Sequence, residues 1–535
     1  MPRYSYERLS AQDNSFLFLE QPNVHMHVAA TQIYDAGPLR TDAGGVDFDK
    51  VRRSIEAVLH LIPRYRQVLQ WIPLASHPVW VDDANFCIDY HVRHTSLPRP
   101  GSRDQLKKLA GRIMAQQLDR AKPLWEFWVV EGLEANRFAI ITKIHHCMID
   151  GASGVDLAQI MMSPSRETNL PEPLPYIPRP APTATELLAD HVARRITLPW
   201  QIFRGLRSLA EEAGSIRDDA MVRLRALGDL AGYAIRGASA TPLNGRLGPH
   251  RYLDWLVMDL DDVKAVRRAL GCTVNDVVLA TVTGAVRRYM IRRRVDPMGL
   301  DFRVSAPVSV RRDDDRGTLG NKVSSWIIPL PIDRSDPLAQ LRELNRRTEE
   351  LKRSQQALGV EMLMAAAEWA PAQLMSLGAR ATSGPINMIV TNVPGPQMPL
   401  YSVGAELLEM YPQVPLLANT GLGVALVSYQ GKVFWGFNCD PDLVPDVADF
   451  VREVRESFKA LRKAAGLRAV VKPTPTAAPV AQVDDGAATP AAKAAPRDVV
   501  HVLPVGRSSS RKRPVPRKSS SATAKAKARA RRKPR

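Results

Sequence analysis

The residues best suited to chemistry stand together in TKIHHCMIDGASG, residues 142–154, where two adjacent histidines and an aspartate precede a glycine-containing turn. A histidine held at such a place can take the proton from an alcohol that attacks a thioester, which typically accelerates the reaction about 10²–10⁴-fold. The sequence contains no G-x-S-x-G elbow, and GASG lacks the required spacing. The segment therefore favours acyl transfer through a histidine base over a serine nucleophile, and two packed strand-end histidines are the purely structural alternative.

A predicted strand, RFAIITKIHH at residues 137–146, must position the two histidines. Successive side chains of a strand point to opposite faces, so Ile144 and His146 should share one face while Lys143 and His145 share the other. Rings that diverge in this way do not easily bind one metal ion, and we expect no metal site. His25 and His27 in VHMHV should share a face, but no third ligand stands near them in the sequence. Alternation allows one histidine per face and does not choose the base.

Two mixed α/β units are predicted around this strand, because strand and helix patterns alternate through both halves of the chain. The first covers residues 1–168, a proline-rich linker and helical crossover covers 169–247, and the second unit covers 248–467. Residues 468–535 are rich in Ala, Pro, Lys and Arg and should be disordered, since they cannot bury enough apolar area to offset the cost of ordering. Predicted strands lie at residues 25–34, 125–133, 137–146, 253–260, 302–310, 323–332, 386–393, 422–431 and 432–439, and predicted helices at 48–62, 261–270, 273–290 and 447–466.

Charge and composition restrict the class of protein. The 535 residues carry a net charge of +18, and residues 471–535 account for +13 of it through sixteen Lys or Arg and three Asp. That tail could bind an anionic membrane surface or nucleic acid, but it has no interleaved aromatic residues for stacking on bases. Four scattered cysteines without a C-x-x-C pair argue against a zinc ribbon and a disulfide framework. The first residues lack a basic region followed by an apolar core, and nowhere are 18 consecutive residues apolar, so we expect neither a signal peptide nor a transmembrane helix.

Several sequence blocks carry a family resemblance. His145 and Asp150 fit an H-x-x-x-x-D pattern similar to that of glycerolipid acyltransferases, and His145 to Gly151 fit the longer and more specific H-H-x-x-x-D-G. The longer pattern resembles acyltransferases of the chloramphenicol-acetyltransferase fold, including condensation domains of peptide synthesis. Together with the blocks that follow, residues 5–465 resemble the bacterial wax ester synthase/diacylglycerol acyltransferase family. Those blocks are LSAQDNSFLFLE (9–20), MHV (26–28), LDRAKPLWEFWVVEGL (118–133), TVNDVVLA (273–280), PVSVR (307–311), LGNKVS (319–324) and TNVPGP (391–396).

The resemblance implies an α/β (α+β sandwich) fold with two chloramphenicol-acetyltransferase-like domains, a helical crossover and the basic tail in one chain. It implies an acyl-CoA-dependent O-acyltransferase that uses diacylglycerol or a fatty alcohol, with acyl-CoA as a substrate and no cofactor. The family's base is the second histidine, which is His146 here. Asp150 corresponds to the family's structural aspartate, and Gly151 lets the backbone pass close to the base.

Further residues are candidates for the substrate channel or for support of the site. Pro123, Leu124 and Trp125 correspond to a block that the family places at the channel, although a strand with a buried tryptophan is the simpler interpretation. Asn275 and Asp276 are important in the family, yet TVNDVV also reads as the start of a helix, and Asn275 could donate to the oxyanion. We also expect roles for His27, for Asn321 and for Arg66, the last as the partner of Asp150.

Alternatives remain at the level of function. A condensation-type acyltransferase would keep the fold and take an amine or a carrier-bound substrate. A non-catalytic protein that coats lipid bodies would use the basic tail as a tether, perhaps to nucleic acid. For the acyltransferase, the lipid substrates imply a cytoplasmic protein attached peripherally to the inner face of the plasma membrane and to lipid inclusions, and not a secreted one.

Overall fold

The computed structural model describes residues 6–75, 77–148, 160–167, 170–194, 237–309, 323–354 and 386–467. Asp150, Gly151, Asn321, the crossover residues 195–236 and the tail 468–535 lie outside these ranges. The expected crossover helices and the expected disorder of the tail therefore stay predictions, as do the domain boundaries.

Strands and helices alternate along the described ranges. The helices are α1 (Ala11–Leu19), α2 (Phe48–Val58), α3 (Ile88–His91), α4 (Arg103–Met114), α5 (Leu260–Leu270), α6 (Val274–Arg292), α7 (Pro337–Ser354) and α8 (Val447–Ala464). The strands are β1 (Glu7–Arg8), β2 (His27–Asp35), β3 (Gln67–Trp71), β4 (Pro78–Asp82), β5 (Val92–Ser96), β6 (Trp125–Leu133), β7 (Arg137–His145), β8 (Tyr252–Asp259), β9 (Phe302–Ser309), β10 (Val323–Leu330), β11 (Met388–Pro394), β12 (Tyr401–Ser402), β13 (Ala405–Gln413), β14 (Leu422–Tyr429) and β15 (Lys432–Cys439).

The first sheet has the strand order β12-β13-β2-β7-β6-β5 and carries the histidine motif. Strands β6 and β7 form the predicted hairpin, and β7 also pairs antiparallel with β2. The register places His27 opposite His145 and Val28 opposite Ile144. Residues that oppose each other in such a ladder share a face. The predicted alternation is therefore confirmed as far as His145, with His145 and His27 on one face and Ile144 on the other.

The second sheet has the order β10-β9-β11-β14-β15-β8, in which β11 runs parallel to β9 and β14 and the other pairs are antiparallel. Helices α6 and α8 contribute to its core, where the rings of Tyr289 and Phe450 meet edge to face at 5.4 Å. Gly271, with φ at +64°, ends α5 in the left-handed conformation. The two mixed sheets of the chain, with the helices packed on them, confirm the predicted α/β class.

One strand of the first sheet comes from the second half of the chain. Strand β13 pairs with β2 over six residue pairs, beginning with Leu407 opposite Tyr34. The ring of Tyr411 stacks on Trp255 of β8 with 4.4 Å between centroids. Gly436 of β15 passes so close that a Cβ atom there would lie 1.7 Å from the Pro412 carbonyl oxygen. Strand β13 thus joins the two sheets, and the sequence analysis did not predict it.

A small third sheet, β1-β4-β3, lies beside the proline-rich linker. The helical segment 184–194 covers it through Leu187, which packs with Ile72, Val79 and Val81. Among the described residues no single helix is long and apolar enough to cross a membrane, and α5 and α6 reach that criterion only as a pair bent by 97°.

Candidate active site

His146 begins a 3₁₀ turn, His146–Met148, at the point where β7 ends. Its backbone N–H donates to the Met26 carbonyl at 2.7 Å, and its half-buried ring stacks on Phe16 of α1 with 4.1 Å between centroids. The strand alternation used in the sequence analysis stops at His145, and from there the turn decides where the next ring points. The predicted strand is one residue too long, and the divergence of the two rings by strand alternation stays a prediction; His145 contacts Glu20, whereas His146 contacts Phe16.

His145 is 1% exposed, and both of its ring nitrogens face protein groups. Its Nδ1 accepts a hydrogen bond from the Cys147 N–H at 3.2 Å, and its Nε2 lies 3.6 Å from Oε1 of Glu20. The backbone N–H of His145 donates to the Leu124 carbonyl at 2.9 Å. An imidazole with an accepting Nδ1 carries its proton on Nε2 when neutral. The Nε2–H of His145 therefore points at a carboxylate.

Glu20 directly follows α1, and its side chain is 1% exposed. Oε2 accepts from Arg120 at 2.7 Å and from Gln117 at 3.0 Å, while Oε1 accepts from the Met26 N–H at 3.3 Å. Burial by itself raises the pKa of a carboxyl group, but interactions with His145 and His27 outweigh it and hold the pKa of Glu20 well below its usual range. The buried carboxyl group of Glu20 is therefore an anion. Arg120 supplies the opposite charge that a buried anion requires.

His27 and His25 lie next to this anion. The Nε2 of His27 lies 3.4 Å from Oε1 of Glu20 and 3.4 Å from the backbone nitrogen of Leu118. Complete burial lowers the pKa of His27 to about 3, so the ring is neutral at physiological pH. The ring of His25 stacks on His27 at 5.4 Å, which confirms their predicted shared face, and burial lowers its pKa as well.

No group of three or more His, Cys, Asp or Glu within the described ranges is arranged to hold a metal ion. Lys143, on the same face as His145, is also buried: its Nζ donates to the Gln116 carbonyl at 2.6 Å and lies 3.9 Å from Glu126. Burial lowers the pKa of Lys143 to about 8.

The segment Pro123-Leu124-Trp125 is buried at the start of β6. The indole N–H of Trp125 donates to the Tyr65 carbonyl at 2.8 Å, and its ring stacks on His91 at 4.5 Å. The simpler interpretation, a strand with a buried tryptophan, therefore describes its side chain. The link to the motif is the Leu124 carbonyl, which accepts the N–H of His145.

Asn275 and Asp276 begin helix α6. Asp276 forms a capping box with Thr273: its N–H donates to the Thr273 hydroxyl at 3.1 Å, and its carboxylate accepts the Thr273 N–H at 2.8 Å. The helix-start interpretation is thus confirmed for this pair. Asn275 lies half-buried in the first turn, and its role toward an oxyanion stays a prediction, like that of Asn321, which lies outside the described residues.

Arg66 has its guanidinium over the ring of Tyr176 at 4.5 Å, and the Tyr176 hydroxyl donates to the Arg66 carbonyl at 3.0 Å. Because Asp150 lies outside the described residues, as does Gly151, the predicted Arg66–Asp150 pair stays a prediction. Arg64 contacts Glu7 at 2.7 Å and lies over the ring of Trp80.

Three residues of the site were missed by the sequence analysis: Phe16, Glu20 and Arg120. Phe16 and Glu20 belong to the quoted block LSAQDNSFLFLE, and they stand four residues apart at the end of α1. That spacing puts two helical side chains on one face. It was the available signal, but nothing in the sequence says that this face meets the histidines.

Two family profiles match the chain over most of its length. The profile of the wax ester synthase/diacylglycerol acyltransferase catalytic domain matches residues 9–278, and that of the WS/DGAT C-terminal domain matches residues 319–462. The chain belongs to the wax ester synthase/diacylglycerol acyltransferase family. Membership makes this WS/DGAT chain an acyltransferase, in a family whose substrates are acyl-CoA and acceptor alcohols.

Relatives of this WS/DGAT chain match its sequence over nearly their full length. One protein of Mycobacterium tuberculosis, named as a diacylglycerol O-acyltransferase, is 31% identical over 85% of this chain and 90% of its own. A second from that organism, named diacylglycerol O-acyltransferase tgs1, is 31% identical over 85% of this chain and 95% of its own.

Solved structures confirm the fold. The wax ester synthase/diacylglycerol acyltransferase from Marinobacter aquaeolei VT8 is 25% identical, with a TM-score of 0.61, and the match covers 86% of this chain and all of that one. The first condensation domain of the calcium-dependent antibiotic synthetase, at 15% identity and a TM-score of 0.56, shares the fold over 87% of this chain and 97% of its own. The predicted chloramphenicol-acetyltransferase-like architecture is therefore confirmed.

Proposed function

We propose that the chain transfers a long acyl group from acyl-CoA to the hydroxyl of diacylglycerol or of a long-chain alcohol, with His146 as the general base. One observation carries the choice of histidine: both ring nitrogens of His145 face protein groups, Cys147 N–H and Glu20, in a ring that is 1% exposed. A base must come within hydrogen-bond distance of the proton that it removes. His145 cannot do so, whereas His146 is half-buried on a turn outside the sheet.

The proposed reaction needs no metal and no acyl-enzyme. His146 takes the hydroxyl proton as the acceptor oxygen attacks the thioester carbonyl carbon, and the carbonyl electrons move to its oxygen. The tetrahedral intermediate collapses, the C–S bond breaks, and the proton on His146 passes to the CoA sulfur. Stacking on Phe16 would hold the imidazole plane during both transfers, and an oriented base is one source of rate in such reactions.

Two acceptor classes are proposed because the relatives support both. The M. tuberculosis relatives carry the name diacylglycerol O-acyltransferase, and the Marinobacter protein carries the names of both activities.

An acceptor panel tests this proposal. The purified full-length chain is incubated with labelled palmitoyl-CoA and either diolein, hexadecanol or hexadecylamine, beside the His146→Ala variant. The proposal predicts labelled triacylglycerol or wax ester, little amide, and loss of ester in the variant. Amide as the main product would support a condensation-type enzyme instead, and no product with any acceptor would leave only a non-catalytic role.

We also propose that the chain works while attached peripherally to a lipid surface, on the inner face of the plasma membrane and on lipid inclusions. Two neighbouring segments expose large apolar side chains. The end of β3 and the following turn expose Trp71 and Leu74, and the proline-rich linker exposes Leu174 and Ile177. A hydrogen bond from the Gln70 side chain to the Pro182 carbonyl joins the two segments. In that turn, Nε2 of His77 lies 3.1 Å from the carbonyl oxygen of Leu9, which stands just before helix α1. Helix α1 carries Phe16. A lipid surface at this face would therefore meet the part of the molecule that holds the start of α1.

Vesicle flotation tests the attachment. Each apolar side chain that enters the lipid should contribute up to about 2 kcal/mol, so Trp71→Ser with Leu74→Ser should weaken binding to lipid vesicles by up to about 10³-fold. Met298→Ser, which changes a similarly exposed side chain of the second half, is the matched control. Equal flotation of both variants would contradict the proposed face.

A further inference from the structure

The two oxygens of the buried Glu20 carboxylate have different contacts. Oε2 is held by Arg120, at 2.7 Å from Nη2 and 3.2 Å from Nε, and by Gln117. These contacts offset the charge and fix the orientation of the group, since a buried carboxylate is stable only when it is paired and hydrogen-bonded. Oε1 faces Met26 and His145, two residues that contact the turn carrying the proposed base.

The first of these residues is Met26. Its N–H donates to Oε1 of Glu20 at 3.3 Å, and its carbonyl accepts the N–H of His146 at 2.7 Å. One residue therefore connects Glu20 to the backbone of His146.

The second is His145. Its Nε2 lies 3.6 Å from the same oxygen, and its Nδ1 accepts the N–H of Cys147 at 3.2 Å. A carboxylate beside Nε2 favours the tautomer with the proton on that nitrogen, which leaves Nδ1 able to accept. The opposite tautomer would put two N–H groups face to face at Cys147. Glu20 thus reaches the peptide groups on both sides of the His146 side chain.

We infer that Glu20 is a positioning residue that holds the turn carrying His146, through Met26 on one side and His145 on the other. This inference rests on the proposed function, in which His146 is the base. Phe16 stands four residues before Glu20 and stacks on the His146 ring, so one end of α1 holds both the ring and its turn. A displacement of about 1 Å in such a group can cost about 100-fold in rate.

The charge of Glu20 is part of this arrangement. The titratable or charged groups that interact with it are His25 and His27 from the β2 side, His145, Lys143 and Cys147 from the β7 side, and Arg120. A glutamine at position 20 keeps the shape but carries only one acceptor oxygen. If that oxygen faces Arg120, its NH₂ group faces His145 and no longer favours a proton on Nε2.

Kinetics of Glu20→Gln test the inference in the full-length chain. We expect kcat for ester formation to fall about 10- to 100-fold, while KM for palmitoyl-CoA stays within about twofold. The double variant with His145→Gln should lose less than the product of the two single losses, because part of the effect of Glu20 passes through His145. Fully additive losses, or an unchanged kcat, would overturn the inference.

A spectroscopic measurement tests the same connection without relying on the activity of a variant. In the chain labelled with ¹⁵N-histidine, the nitrogen shifts of His145 should report a neutral ring with its proton on Nε2, with His145→Gln used to assign the signal. Glu20→Gln should shift this balance toward Nδ1–H. A wild-type His145 with its proton on Nδ1 would overturn the proposed connection.

Glu409→Gln is the matched control for loss of a shielded, ion-paired carboxylate. Glu409 lies at the β13 junction, where it pairs with Arg103 and Arg137, and its removal should lower stability without lowering kcat. The two proposals fail differently. A wild-type chain that forms no ester overturns both, whereas an active wild type with unchanged kcat and tautomer in Glu20→Gln overturns only the role of Glu20.

Discussion

At the scale of single residues, the histidines differ because of what faces each ring. The sequence predicted from strand alternation that the two adjacent rings diverge, but β7 ends at His145 and a turn sets the position of His146. The sequence did not choose between them, because the choice depends on Glu20 and Cys147, which contact His145. Glu20 follows an apolar run and resembles an ordinary helix end in the sequence. Its role becomes visible only once α1 is packed against β2 and β7.

Lys143 gives a prediction on stability at the same scale. Burial lowers its folded pKa to about 8 from 10.5, so between these pH values the unfolded chain holds a proton that the folded chain has released. Stability attributable to this residue therefore rises with pH in that window. The unfolding free energy of the wild type minus that of Lys143→Met should therefore rise by about 2 kcal/mol from pH 8 to pH 10. Denaturant titrations at both pH values measure it, and a difference independent of pH would contradict the assigned shift.

At the scale of elements, the hairpin β6–β7, the strands of the second sheet and helices α5, α6 and α8 match their predicted positions within a few residues. They have clear apolar runs or apolar periodicity in the sequence. Strand β13 was missed because AELLEMYPQ mixes glutamates with apolar residues and contains Pro412. Proline is usually excluded from central strands. Its place between the sheets depends on partners that are distant in sequence.

Gly436 tests the close contact of β13 with β15. Gly436→Ala would place a Cβ atom 1.7 Å from the Pro412 carbonyl oxygen, so backbone must move and the free energy of unfolding should fall by about 3 kcal/mol. Gly431→Ala is the control: φ is +71° there but nothing lies within 4 Å, so it should cost only about 1 kcal/mol. Equal losses in urea titrations of the two variants would contradict the close contact.

At the scale of the whole molecule, the sequence predicted two α/β units in one chain, and the two sheets agree with that class. What it could not predict is that the first sheet needs residues 405–413 from the second half. The domain boundaries at 168, 247 and 467 stay predictions. Asp150, Gly151 and Asn321 also stay predictions at this stage, because they lie outside the described residues.

Separated halves test this dependence. Residues 1–247 alone would lack β12 and β13 and leave β2 as an exposed edge strand, which favours aggregation. We expect the fragment to be insoluble alone and to be recovered when residues 248–467 are co-expressed. A soluble, monomeric fragment 1–247 with slow hydrogen exchange in β2 would contradict the role given to β13.

The most direct test of the account compares His146→Ala with His145→Gln in single-turnover ester formation from palmitoyl-CoA and hexadecanol or diolein. We predict that His146→Ala lowers the rate about 10²–10⁴-fold while thermal unfolding stays close to that of the wild type. We predict a smaller loss for His145→Gln, because His145 only supports the turn. Full activity in His146→Ala, or a loss confined to His145→Gln, would contradict the assignment of His146 as the base.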